Sequence, residues 1–358
     1  MALSNTEQYL IELLISAMDG TAPPAPYAEL SDVMKLAEFH SVANLAYYAA
    51  EKLELQEELR RKWSQLRDRE IMHDIRQTTE LALLCSAFQE AGIRFLPLKG
   101  AIMKELYPQS DYRSMSDIDI LIDTQNISAV RAVMLSIGYE ACDLDHGIHD
   151  VYTKMPSVSV EIHRELFGDD GKEFAPIFSD IWDHCTSENG FCRLNNEYFF
   201  AFLLAHGMKH YQLGGTGVRT FLDLYVFRKA HPDTDTEKIC RMFSECGCEK
   251  LCRDFMALSD MWFCDKADEK LMEMAEYILR GGTYGTFENQ VEYELQSKSK
   301  TQYILSKIFP SLSHMKQQYP VLKKIPVLMP LVWLYRLFTK PFINRKQHAL
   351  KLKTLIKK

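Results

Sequence analysis

The sequence predicts an α+β fold, in which a small mixed β-sheet is flanked by N-terminal and C-terminal helical segments. Apolar residues recur at helical spacing up to about residue 90 and again after about residue 196, whereas the segments between them show the period of two that is typical of strands. These strands alternate with short helices, an order that favours a sheet covered by helices. We therefore expect a helical region at 1–90, a sheet-containing core at 91–190, a helical domain at 191–290 and a basic, proline-punctuated tail at 291–358.

The elements follow from local signals in chain order. Ser4 is expected to cap the first of the N-terminal helices, in which we predict no catalytic residue. Gly100 opens a helix of about two turns that stops before Pro108, and Gly138 suits the C-terminal cap of a helix at 128–137. Strands are predicted at 93–98, 118–122, 139–144, 151–154 and 158–166, and further helices at 198–212 and 218–229.

The composition is that of an ordinary soluble globular protein, with 47% apolar and 25% charged residues among 358. Polar and acidic residues interrupt the N-terminus where a secretory signal would need an apolar run, and no stretch reaches the roughly 18 apolar residues of a membrane span. The nine cysteines lack the regular spacing of a disulfide framework. We expect a cytoplasmic protein whose thiols are reduced, including the buried cluster Cys240, Cys246, Cys248 and Cys252.

The tail differs from the rest of the chain in its charge. The net charge is −7, yet Lys and Arg number 14 after Glu294 and no Asp or Glu follows that residue. Residues 325–338 are apolar and include Trp333 and Tyr335. We favour packing of this segment on the acidic body, and the alternative is peripheral contact with an anionic surface such as the inner membrane.

The strand at 118–122 carries the first chemical signal. Asp117 and Asp119 are two residues apart and share one side of the strand, while three isoleucines fill the other side. Two neighbouring carboxylates repel each other unless a cation lies between them, which indicates a divalent metal, most simply Mg²⁺. In the last predicted strand, Glu161 and His163 likewise point away from the apolar side.

Three short motifs carry a family resemblance. They are Leu98-Lys99-Gly100, Arg113 followed by Ser116-Asp117-Ile118-Asp119, and Val160-Glu161-Ile162-His163. Together they resemble the nucleotidyltransferase superfamily with the DNA polymerase β-like core, and more narrowly the bacterial group of uncharacterised nucleotidyltransferases. The sequence departs from the superfamily at Gly100-Ala101, where Gly-Gly or Gly-Ser is usual, and at Glu161, where this group often carries Asp.

The resemblance implies a metal-dependent nucleotidyltransferase that moves a nucleotidyl group from an NTP, with ATP as a candidate, to a hydroxyl acceptor. Two Mg²⁺ ions, for which Mn²⁺ can substitute, would be held by the catalytic residues Asp117, Asp119 and Glu161. The residues expected at the nucleotide are Lys99, Gly100, Arg113, Ser116, Lys209 and Arg219. Four further residues are expected to support the metal ligands without binding the metal themselves: His163, His206, His210 and Asp223.

Several of these residues have a plain structural alternative. Arg113 could instead hold Asp111 or Asp117 in place, and Arg219 and Asp223 at i, i+4 would by default form an ion pair on one helix face. His206 and His210 have the spacing of zinc ligands, but Gly207 stands where a zinc-protease helix carries Glu. At the level of function, the alternatives are a degenerate nucleotide-binding sensor or scaffold, a toxin-type transferase acting on RNA, and a peripheral membrane adaptor.

Overall fold

The fold is seen in a computed structural model that describes residues 3–145, 147–156, 158–264, 266, 268–312, 315–316, 319 and 321–343. The helices in this part are α1 (Asn5–Asp19), α2 (Leu30–Phe39), α3 (Ala43–Ala50), α4 (Glu57–Glu90), α5 (Gly100–Met103), α6 (Ile127–Ser136), α7 (Asn196–Gln212), α8 (Gly217–Ala230), α9 (Thr236–Ser244), α10 (Glu249–Phe263), α11 (Met272–Gly281), α12 (Phe287–Ser297), α13 (Lys300–Ile308), α14 (Val321–Lys324) and α15 (Met329–Ile343). The strands are β1 (Phe95–Pro97), β2 (Ile118–Ile122), β3 (Glu140–Asp143), β4 (His149–Lys154), β5 (Val158–His163), β6 (Cys185–Glu188) and β7 (Phe191–Leu194).

The seven strands form one mixed sheet in the order β3-β4-β5-β2-β1-β7-β6. β2 is central, because it pairs parallel with β5 and antiparallel with β1. The predicted hairpin is present as β4 and β5, which pair antiparallel. A mixed sheet with helical segments before and after it in the chain confirms the predicted fold class.

Two strands, β6 and β7, were not predicted from the sequence. They form a hairpin whose turn contains Asn189 and Gly190, both with positive φ (50° and 87°). An Asn-Gly pair between strands is a strong hairpin signal, because a two-residue turn that matches the strand twist requires positive φ at both positions. β6 and β7 have only four residues each, and several of these are polar, so the alternation of apolar and polar residues gave little indication of strands. β7 extends the sheet by pairing parallel with β1.

Both faces of the central strand are covered. On one face, the isoleucines of β2 pack with Leu84 and Phe88 of α4. On the other face, Leu96 and Leu121 join a larger core formed with the helices before and after the sheet. β2 is therefore buried along its whole length. Of the polar residues at its start, Asp119 is buried and Asp117 is half-buried.

The apolar part of the tail packs within the tail itself. The indole N–H of Trp333 in α15 donates a hydrogen bond to the carbonyl of Pro310 (3.2 Å), and its ring lies against Phe309. Leu331 and Leu334 are exposed. Across the described ranges, no helix has the length and apolar character needed to cross a membrane. The strongly basic end at 344–358, on which the predicted surface contact depends, lies outside the described residues.

We expect Gly190→Ala to destabilise the fold more than an ordinary glycine substitution. The residue has a φ of +87°, and an added Cβ would clash with the carbonyl oxygen of Ile93. Gly92→Ala is the matched control, because Gly92 also has a positive φ (+66°) but nothing within 4 Å of an added Cβ. The control should lose only the backbone strain, about 1 kcal/mol. Equal losses in the free energy of unfolding, measured with urea, would contradict the close approach.

Candidate active site

The register of β2 and β5 brings the acidic residues together. Asp119 lies directly beside Glu161 in the parallel pairing, and Asp117 comes immediately before β2. All three carboxylates line one cavity of about 300 Å³, whose far wall is formed by α7 and α8. The site thus combines residues that are separate in sequence but adjacent in the sheet.

Asp119 is the best-compensated carboxylate of the three. His163 Nε2 lies 2.8 Å from Asp119 Oδ1, and Lys99 Nζ lies 3.2 Å from Oδ2. Burial by itself would raise the pKa of Asp119, but the charges of Lys99 and His163 hold it well below its usual value. Asp119 is therefore ionised over the whole physiological range.

Asp117 is in the opposite electrostatic situation. Burial, together with the negative charges of Asp119 and Glu161, raises the pKa of Asp117 to about 6. Crowded carboxylates without enough positive charge raise one another's pKa in this way, and a bound cation relieves the repulsion. A cation bound beside Asp117 would compensate the negative charge that the three carboxylates share.

A histidine cluster surrounds Glu161. His163 Nε2 and His149 Nε2 lie 3.3 Å and 3.7 Å from Glu161 Oε2, and the potential ligand atoms of the three residues all lie within 4.8 Å of one another. Burial would lower the pKa of His163, but its hydrogen bonds to Asp119 and Glu161 raise it overall. His149 was not predicted from the sequence. The hairpin register was the available signal, because His149 pairs with His163 across β4 and β5.

The turn at Lys99 and Gly100 is shaped by close packing. Lys99 has a φ of 42°, a strained value for a residue with a side chain, and its ammonium group points to Asp119. A Cβ on Gly100 would lie 2.6 Å from Arg113 Nη1 and 2.5 Å from Met115 Sδ. A larger residue at this position would have to displace the ends of these two side chains, a constraint that the sequence alone did not indicate.

Arg113 lies in the cavity wall but is already engaged by a protein carboxylate. Its Nε and Nη2 donate to Asp223 Oδ1 and Oδ2 (3.2 and 2.9 Å), and Tyr107 Oη also donates to Asp223 (2.7 Å). This corrects two expectations. Arg113 holds neither Asp111 nor Asp117, and the described residues include no ion pair between Arg219 and Asp223. Arg219 instead donates from Nη1 to the carbonyl of Ser114 at 2.9 Å.

The helix α7 forms the wall that faces the carboxylates. His206, Lys209 and His210 line the cavity, with the two histidine Nε2 atoms 3.0 Å apart. Burial, and after it the charge of Lys99, lowers the pKa of Lys209. Burial lowers the pKa of His210 to about 3 and that of His206 well below its usual value, so this pair is neutral at pH 7.

The rim of the cavity includes a residue from a distant loop. Tyr284, which is 80% exposed, has its hydroxyl 3.1 Å from Ser116 Oγ. Ser116 was predicted from the sequence but Tyr284 was not, and no local signal marks this tyrosine. Every residue proposed from the sequence for the site therefore lines this cavity: Lys99, Gly100, Arg113, Ser116, Asp117, Asp119, Glu161, His163, His206, Lys209, His210, Arg219 and Asp223.

Comparison with family models identifies the chain as a nucleotidyltransferase, a class of enzyme that uses a nucleoside triphosphate and an acceptor. The chain belongs to the family described as uncharacterised nucleotidyltransferase, whose family model matches residues 26–264, more than half of the 358 residues. The chain is also similar to the solution structure of the antibiotic-resistance factor ANT(2'')-Ia, with 11% sequence identity and a TM-score of 0.35 over 54% of this chain and 100% of the other. A comparison with curated proteins found no match.

We expect Arg113→Met to destabilise the protein by about 3–5 kcal/mol, because it leaves the buried Asp223 without its cation. The double variant Arg113→Met with Asp223→Leu should lose less, since neither charge then remains buried and unpaired. Urea unfolding of the wild type, Arg113→Met, Asp223→Leu and the double variant gives the coupling energy between the two side chains. Additive losses would show that the two side chains do not form the pair described.

We expect the contribution of Asp117 to stability to depend on pH when divalent cations are removed with EDTA. Its pKa is about 6 in the folded protein against an ordinary value of 3.8, so the folded state binds the proton more tightly. The resulting stabilisation is complete below the unfolded pKa and is lost as the pH rises through the folded value. The stability of the wild type relative to Asp117→Asn should therefore fall between about pH 4 and about pH 7. A difference independent of pH would contradict the raised pKa.

Proposed function

We propose that the protein is a metal-dependent nucleotidyltransferase that moves a nucleotidyl group from an NTP, with ATP as the candidate, to a hydroxyl acceptor. The observation that carries this proposal is the placement of Asp117, Asp119 and Glu161 at one cavity by the pairing of β2 with β5. Family membership supports nucleotidyl transfer in general. The donor set supports the dependence on a metal.

The three carboxylates fit a hard divalent cation. Asp117, Asp119 and Glu161 would hold Mg²⁺, which prefers oxygen ligands, and the raised pKa of Asp117 fits a position that gains from added positive charge. Mn²⁺ takes the same oxygen ligands and can substitute for Mg²⁺, and His149 and His163 beside Glu161 add nitrogen donors. When bound, the metal neutralises charge on the attacking and leaving oxygens.

The residues of the chain supply binding and proton transfer. The acceptor hydroxyl forms a new P–O bond at the α-phosphorus, the α–β P–O bond breaks, and pyrophosphate leaves. We assign Glu161 the role of accepting the hydroxyl proton, and His163 Nε2 lies 3.3 Å from its carboxylate. Lys99 and Lys209 provide positive charge for the phosphates from opposite walls. We assign Arg113 to positioning, because its guanidinium is bound to Asp223.

The location and the division of the chain are part of this proposal. All nine cysteines are free thiols, which supports a cytoplasmic protein. We further propose that 91–190 is the nucleotidyltransferase core and that 1–90 and 191–290 act as its two helical walls. The role of 291–358 at an anionic surface is a separate hypothesis.

We expect Asp117→Ala and Glu161→Gln to lower nucleotidyl transfer by at least about 100-fold, because each removes a ligand or proton acceptor used in the transition state. Glu140→Gln, which neutralises an exposed carboxylate on β3 of the same sheet, is the control and should leave turnover unchanged. The assay follows α-labelled ATP, GTP, CTP and UTP with Mg²⁺ or Mn²⁺ in the presence of hydroxyl acceptors of each class (small phosphorylated alcohols, sugars, RNA and the protein itself), together with nucleotide affinity by calorimetry.

Two outcomes would decide against this function. Nucleotide binding with no turnover under any of these conditions would identify a sensor or scaffold. Turnover unchanged by both active-site substitutions would place the chemistry elsewhere.

A further inference from the structure

A second cavity of about 480 Å³ adjoins the active site, and five residues of α4 form one of its walls. We call it the arginine chamber and define it by Arg69, Glu70, His73, Arg76, Ser116 and Arg219. Ser116 and Arg219 line both cavities, and so do Met115 and Tyr284. A ligand in the chamber therefore lies beside the residue that precedes Asp117.

The helix α4 builds the chamber and also fixes the segment that leads into the carboxylates. Arg69, His73 and Arg76 follow one another at i, i+4 and i+7, so they lie on one face of the helix. On the same side, His73 Nε2 lies 3.1 Å from the carbonyl oxygen of Met115, and Gln77 Nε2 donates to that oxygen at 2.8 Å. Hydrogen bonds from α4 to the Met115 carbonyl thus fix the position of the chamber relative to Asp117, two residues further along the chain.

The charges of the chamber favour an anion. Within the described part of the chain, neither Arg69 nor Arg76 forms an ion pair, whereas Arg67 of the same helix pairs with Glu51 and Asp68. Arg69 makes one hydrogen bond, from Nε to the carbonyl of Gln65 at 3.2 Å. Guanidinium groups that lack a carboxylate partner bind phosphate well, because their N–H groups match its oxygens.

The chamber also contains acidic groups. Glu38 lies exposed at its rim, and Glu70 lies in its wall among the arginines. Glu70 Oε1 is buried and accepts no hydrogen bond from the described residues. A buried acceptor atom without a partner is costly, and a ligand hydroxyl would satisfy it.

We propose that the arginine chamber binds the acceptor substrate, and that this acceptor is a small hydroxyl compound that carries a phosphate group. This inference rests on the proposed function, in which the nucleotide occupies the other cavity between Lys99 and Lys209. Arg69 and Arg76 hold the phosphate of the acceptor, and Glu70 accepts a hydrogen bond from one of its hydroxyl groups. A cavity of this size is within the range of small-molecule sites.

The test uses the full-length protein and glycerol 3-phosphate as the probe, with glycerol as the uncharged comparison. Binding is measured by calorimetry with the nucleotide site filled by Mg²⁺ and a non-hydrolysable ATP analogue, and again without nucleotide. The test variant is the double substitution Arg69→Gln with Arg76→Gln. The control is Arg61→Gln with Lys62→Gln, which removes two positive charges from the same helix outside the chamber.

We expect the wild type to bind glycerol 3-phosphate but not glycerol. The affinity should fall at least tenfold in the test variant and stay within twofold in the control, while the affinity for the ATP analogue stays within twofold in both. Loss of analogue affinity in the test variant would place the nucleotide in the chamber and overturn the proposal. No binding of glycerol 3-phosphate to the wild type, or transfer of label to RNA alone, would overturn it as well.

The two proposals fail in different ways. Binding of the probe needs no turnover, so its dependence on Arg69 and Arg76 supports the anion site even in an inactive protein. Failure of the proposed function appears instead as unchanged turnover in Asp117→Ala and Glu161→Gln.

Discussion

The parallel pairing of β2 with β5 is the constraint on which the site depends. It sets Asp119 beside Glu161, and because side chains alternate along a strand, a slip of one residue would turn Glu161 away from the cavity. The register is secured by burial, since Ile118, Ile120 and Ile122 pack with the residues of α4 on the opposite face. Burial of the apolar side of β2 thus fixes the positions of the carboxylates on its polar side.

Charge compensation then determines what each carboxylate does. Lys99 and His163 neutralise Asp119, whereas burial and then the charges of its acidic neighbours raise the pKa of Asp117 to about 6. Outside this group, buried pairs such as Arg113–Asp223 and Lys104–Asp74 hold the connecting segments. Such pairs contribute little net stability, yet separating the partners would leave a buried charge unpaired, so they favour one arrangement of the loop before Asp117.

The N-terminal helices have a larger part in the site than their sequence indicated. Their pattern predicted packing alone, yet α4 holds Met115 through His73 and Gln77 and supplies the arginines of the second cavity. α4 runs over 34 residues and packs on the sheet near its end, so its middle turns are free to line a cavity. One helix can both pack on the sheet and line a cavity, because its apolar and polar residues lie on different faces.

The sequence by itself determined the fold class, the helices α7 and α8 to within two residues, and most of the polar residues that line the cavity, because periodicity and short motifs are local properties. It did not determine β6 and β7, the partner of Arg113, the close packing around Gly100, or the contributions of His149, Tyr284 and α4. Those depend on which distant segments come into contact. Asp223 could pair with Arg219 on its own helix or with Arg113 from 110 residues away, and only the packed fold decides between them.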